Sequence, residues 1–292
     1  MKKNKIIITG AGGALGTKVL ELLEDENVLP LVKDKQKKIK NAVKCNIVNF
    51  DSLNKIFQEY KPTHVIHLAG ITGNFECEFN SEKAFRTNVF GTYNVLKSCS
   101  DFKSKIIFSS SREVYGETKN KVNEKAELNP ININGITKMM SENLIINFNK
   151  LYKIPYSILR FTNFYGENFS NRGISKMIKN AMQNKKITVF GGNQQIDLIH
   201  FDDAAKGLLG VINAKKSDIY NIGSGKSRTI LQLIHDIEKI SKIKIKFEKK
   251  QNRNFEVQNF KIDTSKAKKD LNFQPSLEFH NVINRMSNKW VS

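Results

Sequence analysis

The sequence predicts an α/β fold, built on a doubly wound parallel sheet and completed by a smaller C-terminal lobe. Short apolar runs that suit strands, such as 5–9 and 105–109, alternate with segments whose apolar residues recur at helical spacing. Leu15, Val19 and Leu23 are an example of that spacing. A glycine-rich turn separates this first helix from the first strand. Strict alternation of strands and helices is typical of a parallel sheet covered by helices on both faces.

The first part of the chain alternates in this way as far as residue 165. β-branched and apolar runs predict the strands, and apolar residues repeated every three or four positions predict the helices. Asp51 is expected to cap the second helix, because an aspartate there can accept hydrogen bonds from the first free N–H groups. The predicted elements are strand 5–9, a helix from Leu15 to Leu23, strands 28–32 and 42–46, helix 53–60, strand 63–68, helix 81–98, strand 105–109, helix 133–151 and strand 157–161.

After about residue 165 the alternation becomes irregular. Helices are expected over 174–182, 202–212 and 230–240, with a strand over 187–190 and a lysine-rich strand further on. We therefore predict a first domain over 1–165 and a smaller lobe over 166–292. In doubly wound sheets, ligands bind at the carboxyl ends of the strands, and the smaller lobe is expected to contact that edge.

The chain has 292 residues, a net charge of +20 and a pI of about 9.7, so it is strongly basic. A basic protein can bind nucleic acid, an anionic membrane or phosphate-rich small molecules. The denser lysine stretches at 33–44 and 242–250 do not alternate aromatic with basic residues, as single-strand-binding surfaces do. We expect the charge to lie on the solvated surface, where it suits polyanionic small molecules, and predict no nucleic-acid partner.

The cysteines and the N-terminus predict a soluble, cytoplasmic protein. Cys45, Cys77 and Cys99 are odd in number and form no CxxC pair, which favours reduced thiols. The chain reaches Gly10 after one short strand, unlike a signal peptide, and no apolar run approaches the ~20 residues of a membrane span. The histidines have no metal-ligand spacing, so no metal site is expected.

The turn after the first strand reads Gly-x-x-Gly-x-x-Gly at Gly10, Gly13 and Gly16. Between a strand and a helix, this pattern lets the backbone approach a pyrophosphate at the helix N-terminus and predicts a dinucleotide site. Asp34 suits the adenosine ribose of NAD, while the neighbouring Lys33 could instead meet the 2′-phosphate of NADP. The residues favour NAD as the cofactor and leave NADP open.

Further motifs follow in a fixed order along nearly the whole chain. They are His67-Leu68-Ala69-Gly70, Asn88-Val89-Phe90-Gly91-Thr92, Ser109-Ser110-Ser111-Arg112-Glu113-Val114-Tyr115-Gly116, Arg160-Phe161-Thr162-Asn163-Phe164-Tyr165-Gly166 and Tyr220-Asn221-Ile222-Gly223. The set resembles the extended short-chain dehydrogenase/reductases, the NAD-dependent epimerase/dehydratase family that acts on nucleotide sugars. The resemblance implies a Rossmann domain over 1–165, a nucleotide-sugar substrate bound by the smaller lobe, and a homodimer formed through helices 81–98 and 133–151.

The resemblance also implies which residues contact the cofactor. Lys138 would hold the nicotinamide ribose, and Phe161 would pack near the nicotinamide. Asn46 and Ile47 stand where the family contacts adenine. The full set implied for the cofactor is Gly10, Gly13, Leu15, Gly16, Asp34, Asn46, Ile47, Leu68, Ala69, Gly70, Asn88, Ser109, Lys138 and Phe161.

For the substrate, the resemblance implies contacts from the end of the first domain and from the smaller lobe. Asn163 would touch the diphosphate, and Phe190 would line the base. Arg253 and Glu256 match an Arg-x-x-Asp pair of the family, whose arginine binds phosphate. Ile196 is a departure, because the family usually has a second diphosphate-binding arginine there.

The catalytic helix departs from the family at one position. The family reads Pro-x-x-x-Tyr-Gly-x-Ser-Lys, whereas this sequence has Asn134 in place of the tyrosine and keeps Lys138 one turn later. An amide forms hydrogen bonds but does not titrate near neutral pH. By resemblance, Ser111 would bond the reacting sugar oxygen. Glu113 matches a glutamate that acts beside the sugar in 4,6-dehydratases and decarboxylases, but Arg112 stands where the dehydratases have an aspartate.

Three functions are consistent with these residues. The first is an active nucleotide-sugar 4-epimerase or related C4 oxidoreductase, in which Ser111, Glu113 or a water held by Asn134 handles the proton. The second is a 4,6-dehydratase-type enzyme with Glu113 as base, and the third is an NAD-binding partner or sensor protein without turnover. Tyr115 and Tyr165 belong to Tyr-Gly turns and are expected to be structural. The predicted catalytic set is Ser111, Glu113, Asn134 and Lys138.

Overall fold

A large parallel sheet forms the centre of the fold in the computed structural model, which describes residues 4–23, 27–34, 38–167 and 173–290. The strands are β1 Lys5–Thr9, β2 Asn27–Val32, β3 Val43–Lys44, β4 His64–His67, β5 Lys105–Ser111, β6 Tyr156–Phe161, β7 Asn163–Tyr165, β8 Ile187–Phe190, β9 Gln195–His200, β10 Asp218–Ile222, β11 Ser227–Thr229 and β12 Phe247–Lys250. Seven of them pair in the order β3-β2-β1-β4-β5-β6-β10. The order reverses at β1, as in the predicted doubly wound sheet.

The helices surround this sheet and fill the remainder of the chain. They are α1 Ala14–Leu22, α2 Phe50–Tyr60, α3 Asn74–Phe79, α4 Ser81–Ala84, α5 Gly91–Phe102, α6 Ile133–Tyr152, α7 Gly173–Met182, α8 Phe201–Leu209, α9 Ile230–Ser241, α10 Ser265–Leu271 and α11 Phe279–Trp290. A π-helical turn, Phe85–Phe90, joins α4 to α5, so the helix predicted over 81–98 is found as one continuous helical segment that contains a π-helical turn and extends to Phe102. The short helix α3 was not predicted.

Two asparagines cap helices that matter for the site. The predicted cap of α2 at Asp51 is wrong, because Asn49 Oδ1 accepts the hydrogen bond from Ser52 N at 3.0 Å. Asp51 lies in the first turn instead, where its charge suits the positive end of the helix dipole. Helix α6 begins at Ile133, as predicted, and Asn132 Oδ1 accepts from Gly135 N at 2.8 Å.

The chain returns to the large sheet after residue 165. Strand β10 pairs with β6 in parallel, and residues of α8 pack in the same core as α1. The smaller lobe contains a sheet of β7, β9 and β11 and a two-stranded sheet of β8 and β12. The boundary at residue 165 stays a prediction. β10 and α8 come after residue 165 in the sequence but pack with the large sheet.

Separate apolar cores lie on the two faces of the large sheet. Successive side chains of a strand point to opposite faces, so Ile6 and Ile8 belong to one core and Ile7 to the other. A third core lies in the smaller lobe and is formed by residues between Tyr165 and Trp290. A further core joins Val114 and Tyr115 to Val257, Phe260 and Ile262, so the two parts of the chain also pack against each other.

The register of the strands brings the predicted site residues to one edge of the sheet. Thr9 of β1 is paired with His67 of β4, and His67 is paired with Phe108 of β5. Ser111 of β5 is paired with Phe161 of β6. Because these strands are parallel, the residues that follow them meet at the same carboxyl edge, where doubly wound sheets bind ligands.

Candidate active site

The glycine turn between β1 and α1 has the close backbone contacts that the pattern predicts. Gly10 has a φ of +70°, and a β-carbon there would lie 2.6 Å from Ala69 N. A β-carbon at Gly16 would lie 2.6 Å from Gly10 O. Gly13 is the N-cap of α1, whose first turn has no acidic residue to compete for an anion. The turn therefore fits a pyrophosphate at the positive end of a helix.

The end of β2 lies beside this turn and presents both predicted ribose-binding side chains to solvent. Ala11 N donates to Leu31 O at 3.1 Å, which ties the turn to β2. Lys33 and Asp34 follow β2, and both are exposed. Their position suits the adenosine end of a dinucleotide.

The predicted adenine contacts lie after β3. Asn46 is exposed and its Oδ1 accepts from Val48 N at 3.2 Å, whereas Ile47 is buried. A β-carbon at Gly91 would lie 2.6 Å from Ile47 Cδ1, so Gly91 is required for the close approach of α5. Asn46 is thus the accessible member of the pair, and Ile47 is packed against α5.

The loop after β4 is held by a buried histidine. Thr9 Oγ1 lies 2.7 Å from His67 Nδ1, and Thr92 Oγ1 lies 2.9 Å from His67 Nε2. Burial lowers the pKa of His67 to about 3, so the ring is neutral. Thr9 Oγ1 also accepts from Ala69 N at 3.2 Å. These bonds place Leu68 and Ala69 beside the glycine turn, as the cofactor prediction requires.

Asn88, in the π-helical turn, connects the loop after β4 to α6. Its Oδ1 accepts from Ile71 N at 2.8 Å, and its Nδ2 donates to Ile71 O at 2.9 Å. The same Nδ2 donates to Thr137 Oγ1 at 3.0 Å. A β-carbon at Gly70 would lie 3.1 Å from Asn88 Oδ1. The amide therefore fixes Gly70 and Ile71 against the catalytic helix.

Lys138 lies on α6 at the end of β5. Its Nζ donates to Ser109 O at 2.5 Å and lies 4.7 Å from the centre of the Phe108 ring. Lys138 is 5% exposed, and burial lowers its pKa to about 8. The predicted residues Ser109 and Lys138 are therefore in contact, and the ammonium group titrates close to neutral pH.

Glu113 lies in the 3-10 turn after β5 and accepts hydrogen bonds from three side chains. Arg112 Nη2 lies 2.9 Å from Glu113 Oε1. Asn132 Nδ2 and Asn74 Nδ2 donate to Oε2 at 2.7 Å and 3.2 Å. Glu113 N also donates to Ser111 Oγ at 3.2 Å, which leaves the hydroxyl hydrogen of Ser111 for another acceptor.

Arg112 is a buried guanidinium that pairs with the neighbouring carboxylate. It is 5% exposed and lies 4.7 Å from the centre of the Phe260 ring. Its Nε and Nη1 have no hydrogen-bond partner among the described residues. Arg112 stands where the resemblance expects the acid of a dehydratase, and its cation instead neutralises Glu113.

Asn134 lies on the first turn of α6 and is 6% exposed. Its Nδ2 donates to Asn74 Oδ1 at 3.2 Å. Its Oδ1 is buried and has no partner in the part of the chain that the structure describes. An unpaired buried acceptor is costly, so this oxygen marks a place where a ligand can donate a hydrogen bond.

The predicted diphosphate and base residues meet on the smaller lobe. The Arg253 guanidinium lies 3.6 Å from the centre of the Phe190 ring and 5.1 Å from that of Phe75 in α3. Arg253 Nη1 lies 3.2 Å from Glu256 Oε1, and burial raises the pKa of that carboxyl. Asn163, the other diphosphate candidate, has a buried Oδ1 without a partner among the described residues.

Ile196 and two tyrosines take structural positions. Ile196 is 4% exposed and belongs to the core of the smaller lobe, so no cation replaces the family arginine at this position. Tyr115 and Tyr165 are both 2% exposed. Tyr115 hydrogen-bonds Asn221, and Tyr165 packs in the core of the smaller lobe. Neither phenol is free to replace the missing tyrosine.

The sequence analysis missed the contribution of α3. Asn74 contacts both Glu113 and Asn134, and Phe75 contacts Arg253. The sequence is rich in asparagine, and no spacing rule distinguishes Asn74 from the others. The resemblance, too, has no motif at this position.

The described ranges contain neither a candidate metal site nor a candidate membrane-spanning helix. No cluster of His, Cys, Asp or Glu that could hold a metal ion occurs in them. None of their helices is long and apolar enough to cross a bilayer.

The glycine turn, a serine and a buried lysine lie at the same edge of the sheet. This arrangement defines a dinucleotide-binding protein with a polar ligand site. A family profile described as the NAD dependent epimerase/dehydratase family matches residues 6–223. The chain belongs to this family. Membership confirms the resemblance, the Rossmann fold, the enzyme class and the choice of NAD as cofactor.

Similar proteins cover almost the whole chain. A Methanocaldococcus jannaschii protein, provisionally assigned as a UDP-glucose 4-epimerase, is 31% identical over 301 residues, covering 98% of each chain. A UDP-glucuronate 4-epimerase of Thermodesulfobacterium geofontis is 29% identical, covering 97% of this chain and 94% of its own. The solved structure of Bacillus cereus UDP-glucuronic acid 4-epimerase, with UDP-glucuronic acid and NAD, has a TM-score of 0.88 at 25% identity, covering 97% and 98%.

Proposed function

We propose that the protein is an NAD-dependent oxidoreductase of UDP-sugars that acts at C4, most similar to a 4-epimerase. The observation that supports this function is the contact between Lys138 and Ser109 at the carboxyl edge, on the strand that ends at Ser111. The relatives whose names specify UDP-sugar 4-epimerases support the substrate class.

The residues fit a bound NAD molecule. The turn at Gly10, Gly13 and Gly16 would hold the pyrophosphate, Asp34 would bind the adenosine ribose and Lys138 the nicotinamide ribose. NAD supplies a reversible hydride acceptor for the carbon that loses and regains its hydrogen. Asp34 favours NAD over NADP, since its carboxylate would repel a 2′-phosphate.

Ser111 and Lys138 are the residues that we assign to the sugar. Among the described residues no acceptor takes the Ser111 hydroxyl hydrogen, which would bond the reacting oxygen of the sugar. Lys138 has a pKa of about 8 and lies one helical turn after Asn134, so it is the group that we assign to proton exchange in place of the absent phenol. The Arg112–Glu113 ion pair favours this function over a dehydratase, because Arg112 occupies the position where the dehydratases have an acid.

Interconversion of UDP-sugars tests this proposal. Purified protein would be incubated with NAD and UDP-glucose, UDP-galactose or UDP-glucuronic acid, with product stereochemistry followed by NMR and reduced nicotinamide by absorbance. Ser111→Ala and Lys138→Met should each lower turnover by about 10²-fold or more, the usual range for a positioned acid or base. Protein that binds NAD but converts no UDP-sugar would support a partner or sensor protein instead.

We also propose a homodimer formed through an exposed apolar groove. The groove has a volume of about 450 Å³ and is lined by Phe85, Arg86, Val89, Phe90, Tyr93 and Leu144. Phe90 and Tyr93 are 47% and 39% exposed, and their rings stack with centres 6.2 Å apart. The groove lies on the helices that the resemblance assigns to the dimer, which supports a second copy as its occupant.

A further inference from the structure

Three polar side chains form a continuous chain of hydrogen bonds between α3, the 3-10 turn and α6. Asn134 Nδ2 donates to Asn74 Oδ1 at 3.2 Å. Asn74 Nδ2 donates in turn to Glu113 Oε2 at 3.2 Å. The chain thus connects the carboxylate of Glu113 to the amide that stands where the resemblance expects the tyrosine.

The carboxylate determines the direction of every bond in this chain. The Arg112 guanidinium pairs with Glu113 Oε1, and Glu113 Oε2 accepts hydrogen bonds from the NH₂ groups of Asn132 and Asn74. Asn74 must therefore turn its NH₂ group towards Glu113 and its Oδ1 towards Asn134. Asn134 must in turn direct its own NH₂ towards Asn74, which leaves its Oδ1 facing the other way.

Two further contacts prevent this arrangement from reversing. Asn132 also directs its NH₂ to Glu113, at 2.7 Å, while its Oδ1 is held by Gly135 N at 2.8 Å. Helix α3 is fixed to the start of α6, because Glu78 Oε1 accepts from Ile133 N at 2.7 Å. Asn74 is thus held between Glu113 and Asn134. Its helix, α3, is tied to the start of α6, the helix that carries Asn134.

The result is a buried oxygen of fixed direction without a partner. Asn134 Oδ1 has no hydrogen-bond partner among the described residues, and the residue is 6% exposed. Rotating the Asn134 amide by about 180° would not give its oxygen a partner. The oxygen would then face the acceptor oxygen of Asn74, and the NH₂ group would lose its hydrogen bond to that oxygen. This oxygen therefore requires a hydrogen-bond donor from outside the described residues.

We propose that Asn134 Oδ1 is a dedicated acceptor for a hydroxyl hydrogen of a bound ligand, and that Glu113 and Asn74 are positioning residues that orient it. The ligand class rests on the proposed function. The hydroxyl belongs either to the sugar of a UDP-sugar or to a ribose of NAD. A neutral phenol could either donate or accept at this place, whereas the Asn134 oxygen can only accept and therefore selects for a donor.

Calorimetry with fluorinated ligands tests the inference, because fluorine in place of a hydroxyl cannot donate. UDP-glucose and its 3-, 4- and 6-deoxyfluoro analogues would be titrated into NAD-loaded wild type, Asn134→Leu and Asn74→Leu. NAD would be titrated into each protein separately. Asn147→Leu, on the exposed side of α6, is the matched control.

If the hydroxyl belongs to the sugar, wild type should bind one fluoro analogue about tenfold more weakly than UDP-glucose, the usual effect of one buried hydrogen bond. Asn134→Leu should abolish that ratio, Asn74→Leu should reduce it, and Asn147→Leu should keep it. A purely structural role would change affinities for all analogues together and leave the ratio unchanged. If the hydroxyl belongs to the cofactor, Asn134→Leu should weaken NAD about tenfold while the sugar ratios stay equal to those of wild type.

The inference is overturned if Asn134→Leu changes neither the fluoro ratio nor the NAD affinity. A wild type that binds no UDP-sugar would refute the proposed function, and the comparison of NAD affinities would still decide the role of Asn134.

Discussion

The hydroxyl of Tyr115 donates to Asn221 Oδ1 at 2.7 Å, which joins the turn after β5 to strand β10 in the buried interior. The same hydroxyl accepts from Arg160 Nη1 at 2.8 Å. Both hydrogen-bonding capacities of the phenol are therefore used within the protein. Burial raises the pKa of Tyr115 to about 12, so the group stays neutral in the physiological range.

Tyr115→Phe should lower the free energy of unfolding by about 1–3 kcal/mol, because Asn221 and Arg160 would each lose a buried partner. Turnover per folded molecule should change little. Chemical denaturation measures the first effect and an assay at matched folded concentration the second. Tyr152→Phe, whose ring is 46% exposed, is the control. A large loss of turnover in a stable Tyr115→Phe protein would give Tyr115 a catalytic role.

Asn134→Tyr should increase C4 redox or epimerase turnover on UDP-sugars by about 10²-fold or more. The new phenol would lie one turn from Lys138, whose charge favours the phenolate. Asn134→Phe is the matched control, since it adds the ring without the hydroxyl. If wild type is already fast and Asn134→Tyr slows it, Asn134 is a specialised working residue. The natural asparagine in place of the family's tyrosine then does not impair the site.

The pKa of Lys138 predicts a specific dependence of stability on pH. Folding lowers this pKa from 10.5 to about 8, so between these values the unfolded chain binds a proton that the folded protein has released. Stability therefore rises with pH in this window. Relative to Lys138→Met, wild type should gain about 2 kcal/mol between pH 7.5 and pH 9.5.

Urea denaturation of both proteins across that range measures the gain. Lys105, whose pKa burial also lowers to about 8, is present in both proteins, so its contribution cancels. A difference in stability that stays constant with pH would show that Lys138 keeps its ordinary pKa.

Phe90→Asp should convert the dimer into monomers, because a charge would have to be buried in the apolar groove. Sedimentation velocity at micromolar concentration measures the change. Phe247→Asp is the control, since Phe247 is 41% exposed and lies on β12 of the smaller lobe. A monomeric wild type, or a Phe90→Asp protein that remains dimeric, would refute the proposed interface.

Asp34→Ala should weaken NAD binding by about tenfold or more, the usual effect of losing a hydrogen bond to a charged group. Wild type should prefer NAD to NADP, and Asp34→Ala should reduce that preference because the repulsion of a 2′-phosphate is removed. Calorimetry with both cofactors decides this point. A wild-type preference for NADP, lost in Lys33→Ala, would assign the ribose site to Lys33.

The parallel sheet and its ligand edge could be predicted because they depend on local patterns. Apolar runs such as 5–9 are long enough to identify strands, and the glycine turn has a defined position between strand and helix. The catalytic helix starts at Ile133 as predicted, since its cap and its periodicity are both local. Parallel register places Ser111 at this edge, whereas the role of Lys138, which lies on α6, was predicted only through the resemblance to the family.

Other features depend on tertiary contacts that no local pattern encodes. Strand β10 joins the large sheet because its edge pairs with β6, and this choice of partner is not visible in the residues of β10 alone. Asn49 caps α2 instead of the predicted Asp51, and the sequence alone could not distinguish them because both residue types cap helices well. Asn74 gains its role only because α3 folds onto α6.

The π-helical turn at Phe85–Phe90 determines which side chains of one continuous helical segment point to the interior and which point to the surface. Asn88 points inward to Ile71 and Thr137, whereas Phe90 lies in the exposed groove. Each residue of an α-helix advances the side-chain direction by about 100°. Losing one residue from this turn would rotate one face against the other by that angle. The contacts of Asn88 with the loop after β4 and the direction in which Phe90 faces therefore both depend on the length of this turn.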